Sequence, residues 1–178
     1  MSHFTVGVIL ERFDNPSDVE ADIYRLMEPY DENIEVDEYM QVCPSCDGTG
    51  QAQCYRCRGE GEIGGEECHQ CNGTKLIDCP VCHGEKEYAT TYNPKSKWDW
   101  WIVGGRWSDV IPGNACVIKE FDAHPFFALV TPDGEWHEKG KMLWFAVVAD
   151  EDDDWERKHD EILAKYPDHW VVLVDAHI

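Results

Sequence analysis

Residues 43 to 86 contain four copies of one short pattern, and this repeat constrains the fold more than any other feature of the chain. Each copy has the form Cys-x-x-Cys-x-Gly, and the copies begin at residues 43, 54, 68 and 79. The segment has almost no large aliphatic side chains, so it cannot build an ordinary hydrophobic core. A Cys-x-x-Cys turn directs two thiolates at one metal ion, and two such turns complete a tetrahedral site. The pattern therefore predicts two closed metal sites.

Zinc is the metal that this ligand set predicts, because sites of four cysteines are typical of structural zinc. An iron–sulfur cluster or redox-active dithiols are the alternatives that the same cysteines leave open. The ninth cysteine, Cys116, lies outside the repeat and is predicted to be a small buried side chain.

The repeat resembles the cysteine-rich domain of DnaJ co-chaperones, in which the form Cys-x-x-Cys-x-Gly-x-Gly occurs four times. The first two copies match this form in full, whereas Lys75 and Lys86 replace the last glycine of the third and fourth copies. The resemblance implies contact with unfolded proteins. It does not imply recruitment of a partner ATPase, because the chain has no His-Pro-Asp signature. In the family the outer copies share one zinc ion and the inner copies the other, which implies the ligand sets Cys43, Cys46, Cys79 and Cys82, and Cys54, Cys57, Cys68 and Cys71.

The geometry of an inserted segment favours the same pairing. An insert within a folded domain must begin and end at neighbouring points, and sulfurs on one tetrahedral zinc ion, with bonds of about 2.3 Å, lie only ~4 Å apart. Sharing of one ion by the first and last copies therefore closes the insert at its base. The predicted organisation is an α+β scaffold of residues 1–42 and 87–178 that carries the zinc module 43–86.

The scaffold has three clear strand patterns. Residues 4–10 and 170–178 are rich in β-branched side chains, and the continuous apolar run of residues 142–149 predicts a buried strand. Two helices are also predicted. The first has Asn15 as its cap, Pro16 at its first position and a stop at Pro29, and the second follows the acidic residues 150–154 and ends before Pro167. This order predicts an antiparallel or mixed sheet with both helices on one face, as a variant of the ferredoxin-like fold.

The charge of the chain limits its partners. The 36 acidic and 15 basic side chains give a formal net charge of −21, which disfavours general binding of nucleic acid but leaves open mimicry of it. No apolar run approaches the roughly 20 residues of a membrane span, and the first residues do not resemble a signal peptide. The sequence therefore predicts a cytoplasmic protein without a membrane span, where metal binding by cysteines is favoured over disulfides.

The stretch KWDWWIVGGRW, residues 97–107, allows two interpretations. As an extended strand it places Trp98, Trp100 and Ile102 on one side and Asp99, Trp101 and Val103 on the other. The simpler interpretation is core packing. The alternative is a binding patch for a partner or a small, nucleotide-like anion, in which indoles stack and a guanidinium binds the charge. The residues predicted for this patch are Trp98, Trp101, Arg106, Trp107 and Lys97.

Several scaffold motifs resemble a family of small bacteriophage proteins. They are MSHFTV, NPKSKWDWW with GGRW, FALVTPDGEWHE and VDAHI. The resemblance implies expression in the cytoplasm of an infected bacterium, and it implies no activity.

Three classes of function follow from the sequence. The favoured class is a zinc-binding, non-enzymatic interaction protein that acts on a host or viral protein. The second is a binder of a small anion at the tryptophan patch. The third is an enzyme: a hydrolase using Asp175 and His177, which lie two apart on one strand, or a thiol oxidoreductase using the Cys-x-x-Cys turns. The sequence makes no prediction of the oligomeric state.

Overall fold

The computed structural model describes residues 2–11, 16–143 and 147–178. They form two compact units, one from the described residues of 1–34 and 93–178 and one from Glu35–Tyr92. We call the first the sheet unit and the second the cysteine unit. All four cysteine copies lie within the cysteine unit, and the predicted boundaries of the insert at residues 43 and 86 stay a prediction.

The chain contains two helices and fourteen short or medium strands in its described part. In chain order these are β1 (His3–Leu10), α1 (Pro16–Met27), β2 (Glu35–Val42), β3 (Gln51–Gln53), β4 (Glu62–Ile63), β5 (Glu66–Glu67), β6 (Leu76–Asp78), β7 (Glu87–Tyr92), β8 (Trp100–Val103), β9 (Ala115–Val117), β10 (Ala128–Val130), β11 (Trp136–Glu138), β12 (Lys141–Met142), β13 (Val148–Ala149), α2 (Trp155–Leu163) and β14 (Trp170–His177). Short 3₁₀ turns occupy Glu28–Tyr30, Gly105–Trp107, Pro112–Asn114 and Ile118–Glu120.

A mixed sheet of six strands forms the centre of the sheet unit. Its order is β11-β10-β1-β14-β8, and β9 also pairs with β14. β1 runs parallel to β10 and antiparallel to β14 along its whole length. The prediction of an α+β fold with a mixed sheet and two helices is confirmed, whereas the ferredoxin-like topology is not.

The two helices pack on opposite faces of this sheet. Val8 of β1 belongs to one core with Ile23 of α1, whereas the next residue, Ile9, belongs to a second core with Ile162 of α2. We call these the first core and the second core. The prediction of both helices on one face is therefore wrong. The reason is that β1 and β14 are apolar on both faces, as buried strands are, and each face needs a cover.

Both helices begin near the predicted positions. α1 starts at Pro16 and is followed by the 3₁₀ turn that contains Pro29, while α2 ends four residues before Pro167. The predicted cap Asn15 lies outside the described residues. No helix in the described part of the chain is long and apolar enough to cross a membrane.

The apolar run of residues 142–149 does not form one buried strand. Met142 of β12 pairs with Val148 of β13, and the Leu143 amide donates a hydrogen bond to the Val147 carbonyl. The two ends of this run therefore pair as antiparallel strands, and Val147 is exposed. Residues 144–146 of the predicted strand lie outside the described residues. The prediction was wrong because an apolar run without turn residues gives no sign that its two ends pair with each other.

Candidate metal centres

The cysteine unit is a long hairpin built from three nested pairs of antiparallel strands. β2 pairs with β7, β3 with β6, and β4 with β5 at the tip. The first and fourth cysteine copies lie between the outer and middle strand pairs, and the second and third copies lie between the middle pair and the tip. The hairpin thus brings the copies together two by two.

The eight cysteines form two groups of four, and all eight are buried. Within each group the ligand atoms lie within 4.8 Å of one another. The outer group is Cys43, Cys46, Cys79 and Cys82, and the inner group is Cys54, Cys57, Cys68 and Cys71. The grouping of outer with outer and inner with inner copies, which the sequence predicted, is confirmed.

The distances between sulfurs fit one metal ion in each group. The Sγ atoms of Cys43 and Cys79 are 3.7 Å apart, and those of Cys54 and Cys68 are 3.9 Å apart. A tetrahedral ion with metal–sulfur bonds of about 2.3 Å separates its sulfurs by about 3.8 Å. A disulfide would require about 2.05 Å. Each group can therefore hold one ion, and the distances agree with zinc.

Reciprocal backbone hydrogen bonds fix the pairing. In the outer group the Cys43 amide donates to the Lys86 carbonyl and the Cys79 amide donates to the Gly50 carbonyl, both at 2.9 Å. In the inner group the same two bonds join Cys54 to Lys75 and Cys68 to Gly61. Each pair of copies is therefore related by a local twofold pattern. The bonds hold the turns in register before any metal–sulfur bond is considered.

Glycines allow the backbone to approach the sulfurs. The amides of Gly50 and Gly61 each donate a hydrogen bond of 3.3 Å to the second cysteine sulfur of their own copy. A side chain at Gly50 would place its Cβ 2.6 Å from the Gly84 carbonyl oxygen, and the φ of Gly50 is +78°. Lys75 and Lys86 adopt the same left-handed region at φ of 72°, where a lysine is strained. The two lysines thus keep the glycine geometry rather than changing the turn.

The electrostatics of the thiols also fit a cation. Burial and the neighbouring thiols raise the pKa of Cys43 and Cys71 to about 11. Burial also opposes ionisation of Cys46 and Cys57, but the Gly50 and Gly61 amides and the other thiols lower their pKa to about 7. Metal-free groups therefore keep part of their protons at neutral pH. Binding of an ion must displace those protons, so metal affinity falls as the pH falls.

The tryptophans of this stretch pack against different cores of the sheet unit. Trp98 is only 4% exposed, and its Nε1 donates a hydrogen bond to the Met27 carbonyl in the first core. Trp101 packs on the first core as well, whereas Trp107 packs on the second core. The strict alternation predicted for residues 98–103 is interrupted by a bend at Asp99, which lets Trp98 and Trp101 face the same core.

The two cationic residues of the predicted patch have different partners. The Lys97 Nζ forms a salt bridge of 2.6 Å with Glu138. The side chain of Arg106 is exposed, and its backbone amide donates a hydrogen bond of 3.0 Å to Asp175 Oδ2. For Trp98, the structure therefore directly supports the interpretation as core packing. Binding of a ligand or partner by these five residues stays a prediction.

Asp175 and His177 lie on one strand, as predicted, but each is paired with another residue. Asp175 is buried and its Oδ1 lies 2.8 Å from the Nδ1 of His3, while the Nδ1 of His177 lies 2.5 Å from Asp99 Oδ1. The rings of His3 and His177 meet edge to face at 4.9 Å. The buried Nε2 of His177 has no hydrogen-bond partner within the described part of the chain.

His3 and Asp99 were missed by sequence reasoning. His3 lies directly opposite His177 because β1 pairs with β14, a strand more than 150 residues later in the chain. No local pattern reports such a pairing. The motif VDAHI singles out Asp175 and His177, but it does not show which neighbours they bind.

Within residues 2–11, 16–143 and 147–178, three or more ligand atoms of His, Cys, Asp or Glu lie within 4.8 Å of one another in the two cysteine groups and nowhere else. Cys116 is half-buried on β9, outside both groups, and burial together with Glu120 raises the pKa of its thiol.

Comparison of the chain with protein-family models, with curated proteins and with solved structures gives no match. The resemblances to DnaJ domains and to bacteriophage proteins therefore rest on the quoted motifs alone. What the structure itself establishes is an α+β sheet unit and a hairpin with two buried groups of four cysteines, each able to hold a metal ion.

Proposed function

We propose that the chain is a zinc-binding, non-enzymatic interaction protein, in which two zinc ions hold the cysteine unit in shape for contact with another protein. One observation carries this proposal: eight buried cysteine sulfurs lie in two groups of four at the spacing of a tetrahedral ion. Four protein ligands complete the coordination of each ion. Such closed sites leave no position for a substrate and are typical of structural zinc.

Zinc fits these groups better than the alternatives. A cluster of several iron atoms binds its cysteines through different irons, which spreads the sulfurs more than one ion does, whereas here all four lie within 4.8 Å. A redox-active dithiol needs an accessible, reactive sulfur, and all eight sulfurs belong to buried residues. Both features favour a structural ion.

The surface of the cysteine unit supports a role in protein contact. Tyr55 is 71% exposed within the second Cys-x-x-Cys turn, and Val81 is exposed within the fourth. Because metal ions take the place of a hydrophobic core, several apolar side chains of this unit are left exposed. Further exposed apolar residues of the unit are Met40, Val42, Ile63 and Leu76. Exposed apolar groups of this kind are typical of sites that bind proteins.

The finer assignment draws on the resemblances. The pairing of outer with outer and inner with inner copies is the pairing that a DnaJ-type domain implies, and it supports binding of unfolded or partly folded protein. The motifs WDWW, GGRW and VDAHI support an origin in a bacteriophage and action on a host or viral protein in the bacterial cytoplasm.

The experiment has two arms, both on the full chain. Metal analysis of the protein purified under reducing conditions is expected to give two zinc ions per chain. Binding to a permanently unfolded, reduced and alkylated model protein is then measured for the wild type, for the pair Tyr55→Ser and Val81→Ser, and for Val110→Ser as a control on the exposed surface of the sheet unit. We expect the control to bind like the wild type and the pair to lose binding. Equal binding by all three proteins would contradict the contact role, and iron in place of zinc would contradict the metal.

A further inference from the structure

β8 lies at an edge of the central sheet. It pairs with β14 on one side, and within the residues that the structure describes no strand pairs with its other side. Trp100 and Ile102 are directly opposite His177 and Asp175, and the Gly104 amide donates to the Leu173 carbonyl in the same register. The backbone groups of Trp101 and Val103 therefore point away from β14, because hydrogen-bonding direction alternates along an antiparallel strand.

The exposed side chains of β8 are apolar. Trp100 is 47% exposed and Ile102 is 46% exposed, and they are two residues apart, so they project from the same side of the strand. The sequence WWIV contains neither lysine nor proline, the residues that usually protect an edge strand from pairing. The edge thus offers both backbone groups and apolar side chains to an added strand.

Negative charge is concentrated where β8 begins. Asp31 forms a bridge with Trp98, the Glu32 amide donates to the Trp98 carbonyl, and Asp99 precedes the strand. Burial, followed by the charges of Asp99 and Asp31, raises the pKa of Glu32. No lysine or arginine among the described residues forms a salt bridge with these three carboxylates; Asp99 contacts His177. A cation brought by a partner would relieve this repulsion.

We propose that β8 is a docking site for an extended basic segment of another protein, which adds to the sheet as an extra strand. Its backbone would pair with Trp101 and Val103, an apolar side chain would cover Trp100 and Ile102, and a lysine or arginine would lie against Glu32 and its acidic neighbours. A basic partner fits better than a second copy of this chain, since two chains of charge −21 repel each other. All residues of this site belong to the sheet unit.

The test uses the full, zinc-loaded protein and an eight-residue peptide of alternating lysine and valine. Binding is followed by the NMR shifts of the β8 amides and by calorimetry at physiological salt. Ile102→Lys adds a like charge and removes the apolar contact, whereas Val110→Lys adds the same charge at a residue that is 45% exposed elsewhere in the sheet unit. We expect the wild type and Val110→Lys to bind alike and Ile102→Lys to bind at least about tenfold more weakly.

Two further arms make the outcome decisive. A peptide with N-methyl groups on alternate residues keeps the charges but cannot pair as a strand, and it is expected not to bind. Equal binding of that peptide, an equal effect of the two lysine variants, or no binding of the unmodified peptide would each overturn the proposal. A dimer in ultracentrifugation that Ile102→Lys dissociates would assign the edge to a second copy and would overturn it as well.

Discussion

The sheet unit and the cysteine unit are held together by different forces. In the sheet unit, apolar side chains of β1 and β14 fill two cores, one under α1 and one under α2. In the cysteine unit the buried clusters consist of the cysteines themselves, with Ala52, Ile77 and Tyr88 packed against them. One unit therefore depends on the burial of apolar surface, and the other on bonds from sulfur to metal. Perturbations of packing and of metal should consequently act on different parts of the chain.

The largest effect is expected from loss of one metal ligand. Cys43→Ser removes a thiolate of the outer group, and an apparent binding free energy of about 10–16 kcal/mol per structural zinc makes that loss severe. We expect the zinc content to fall from two ions to one and the β2–β7 end of the hairpin to become protease-sensitive. Cys116→Ser is the matched control, since that cysteine belongs to neither group. If Cys43→Ser retained both ions, the outer group would not be a zinc site.

A substitution in the core of the sheet unit is expected to destabilise that unit and to leave the metal sites intact. Leu173 of β14 is fully buried in the second core, and Leu173→Ala should reduce the free energy of unfolding of the sheet unit by about 2–5 kcal/mol. The zinc content should stay unchanged. Denaturation followed by tryptophan fluorescence measures this effect selectively, because all eight tryptophans belong to the chain segments of the sheet unit. Release of zinc at the same denaturant concentration would show that the units are not separate.

A smaller effect is expected at the glycines of the hairpin. Gly50→Ala would bring a Cβ against the Gly84 carbonyl and disturb the amide bond to Cys46, so zinc affinity of the outer group should fall by about 10–100-fold. Gly65 also has a positive φ, but its side-chain position is open. Competition with a chromophoric chelator should therefore find Gly65→Ala close to the wild type. Equal losses of zinc affinity in Gly50→Ala and Gly65→Ala would mean that the positive φ, rather than the contact made by the added Cβ, causes the loss.

The smallest effect is expected from pH acting on the sheet unit. His159 of α2 is buried, its Nε2 accepts a hydrogen bond from the Phe126 amide, and burial lowers its pKa. The folded state therefore holds a neutral ring, while the unfolded chain takes up a proton below the ordinary pKa of 6.5. The stabilisation that depends on the neutral His159 ring is therefore fully present above pH 6.5, and it declines as the pH falls below that value.

His159→Gln should flatten this decline as the pH falls below 6.5, whereas His124→Gln, at an exposed position, should not. Tryptophan fluorescence is the suitable signal because it reports on the sheet unit alone, whereas acid also protonates the thiolates of the cysteine unit. A steeper or unchanged decline in His159→Gln would show that other groups control the acid sensitivity.

The cysteine sites could be predicted from the sequence because their information is local. Each Cys-x-x-Cys-x-Gly copy specifies its own turn, and the need to close the hairpin pairs the copies. α1 and α2 were predictable for the same reason, from Pro16 and from the apolar spacing before Pro167. The sheet was not, because its order depends on contacts between distant segments, such as β1 with β14 and β10.

The wrong predictions for the sheet unit also concern features that short sequence patterns do not contain. Val8 and Ile9 are adjacent and both apolar, which indicates that β1 is buried on both faces. The prediction did not use this signal and placed both helices on one face of the sheet. The bend at Asp99 and the antiparallel pairing of Met142 with Val148 occur inside runs that look continuous. Asp175 and His177 were found by their spacing, but their partners His3 and Asp99 depend on strand pairing that no short motif contains.

The most direct test of this comparison is removal of metal from the full chain, followed residue by residue in NMR spectra under reducing conditions. A strong chelator should collapse the amide signals of residues 35–92 and leave those of the sheet unit, together with its tryptophan fluorescence, in place. Addition of two equivalents of zinc should restore the spectrum. Persistence of the signals of residues 35–92 without metal would contradict the account, and so would a simultaneous collapse of the sheet unit.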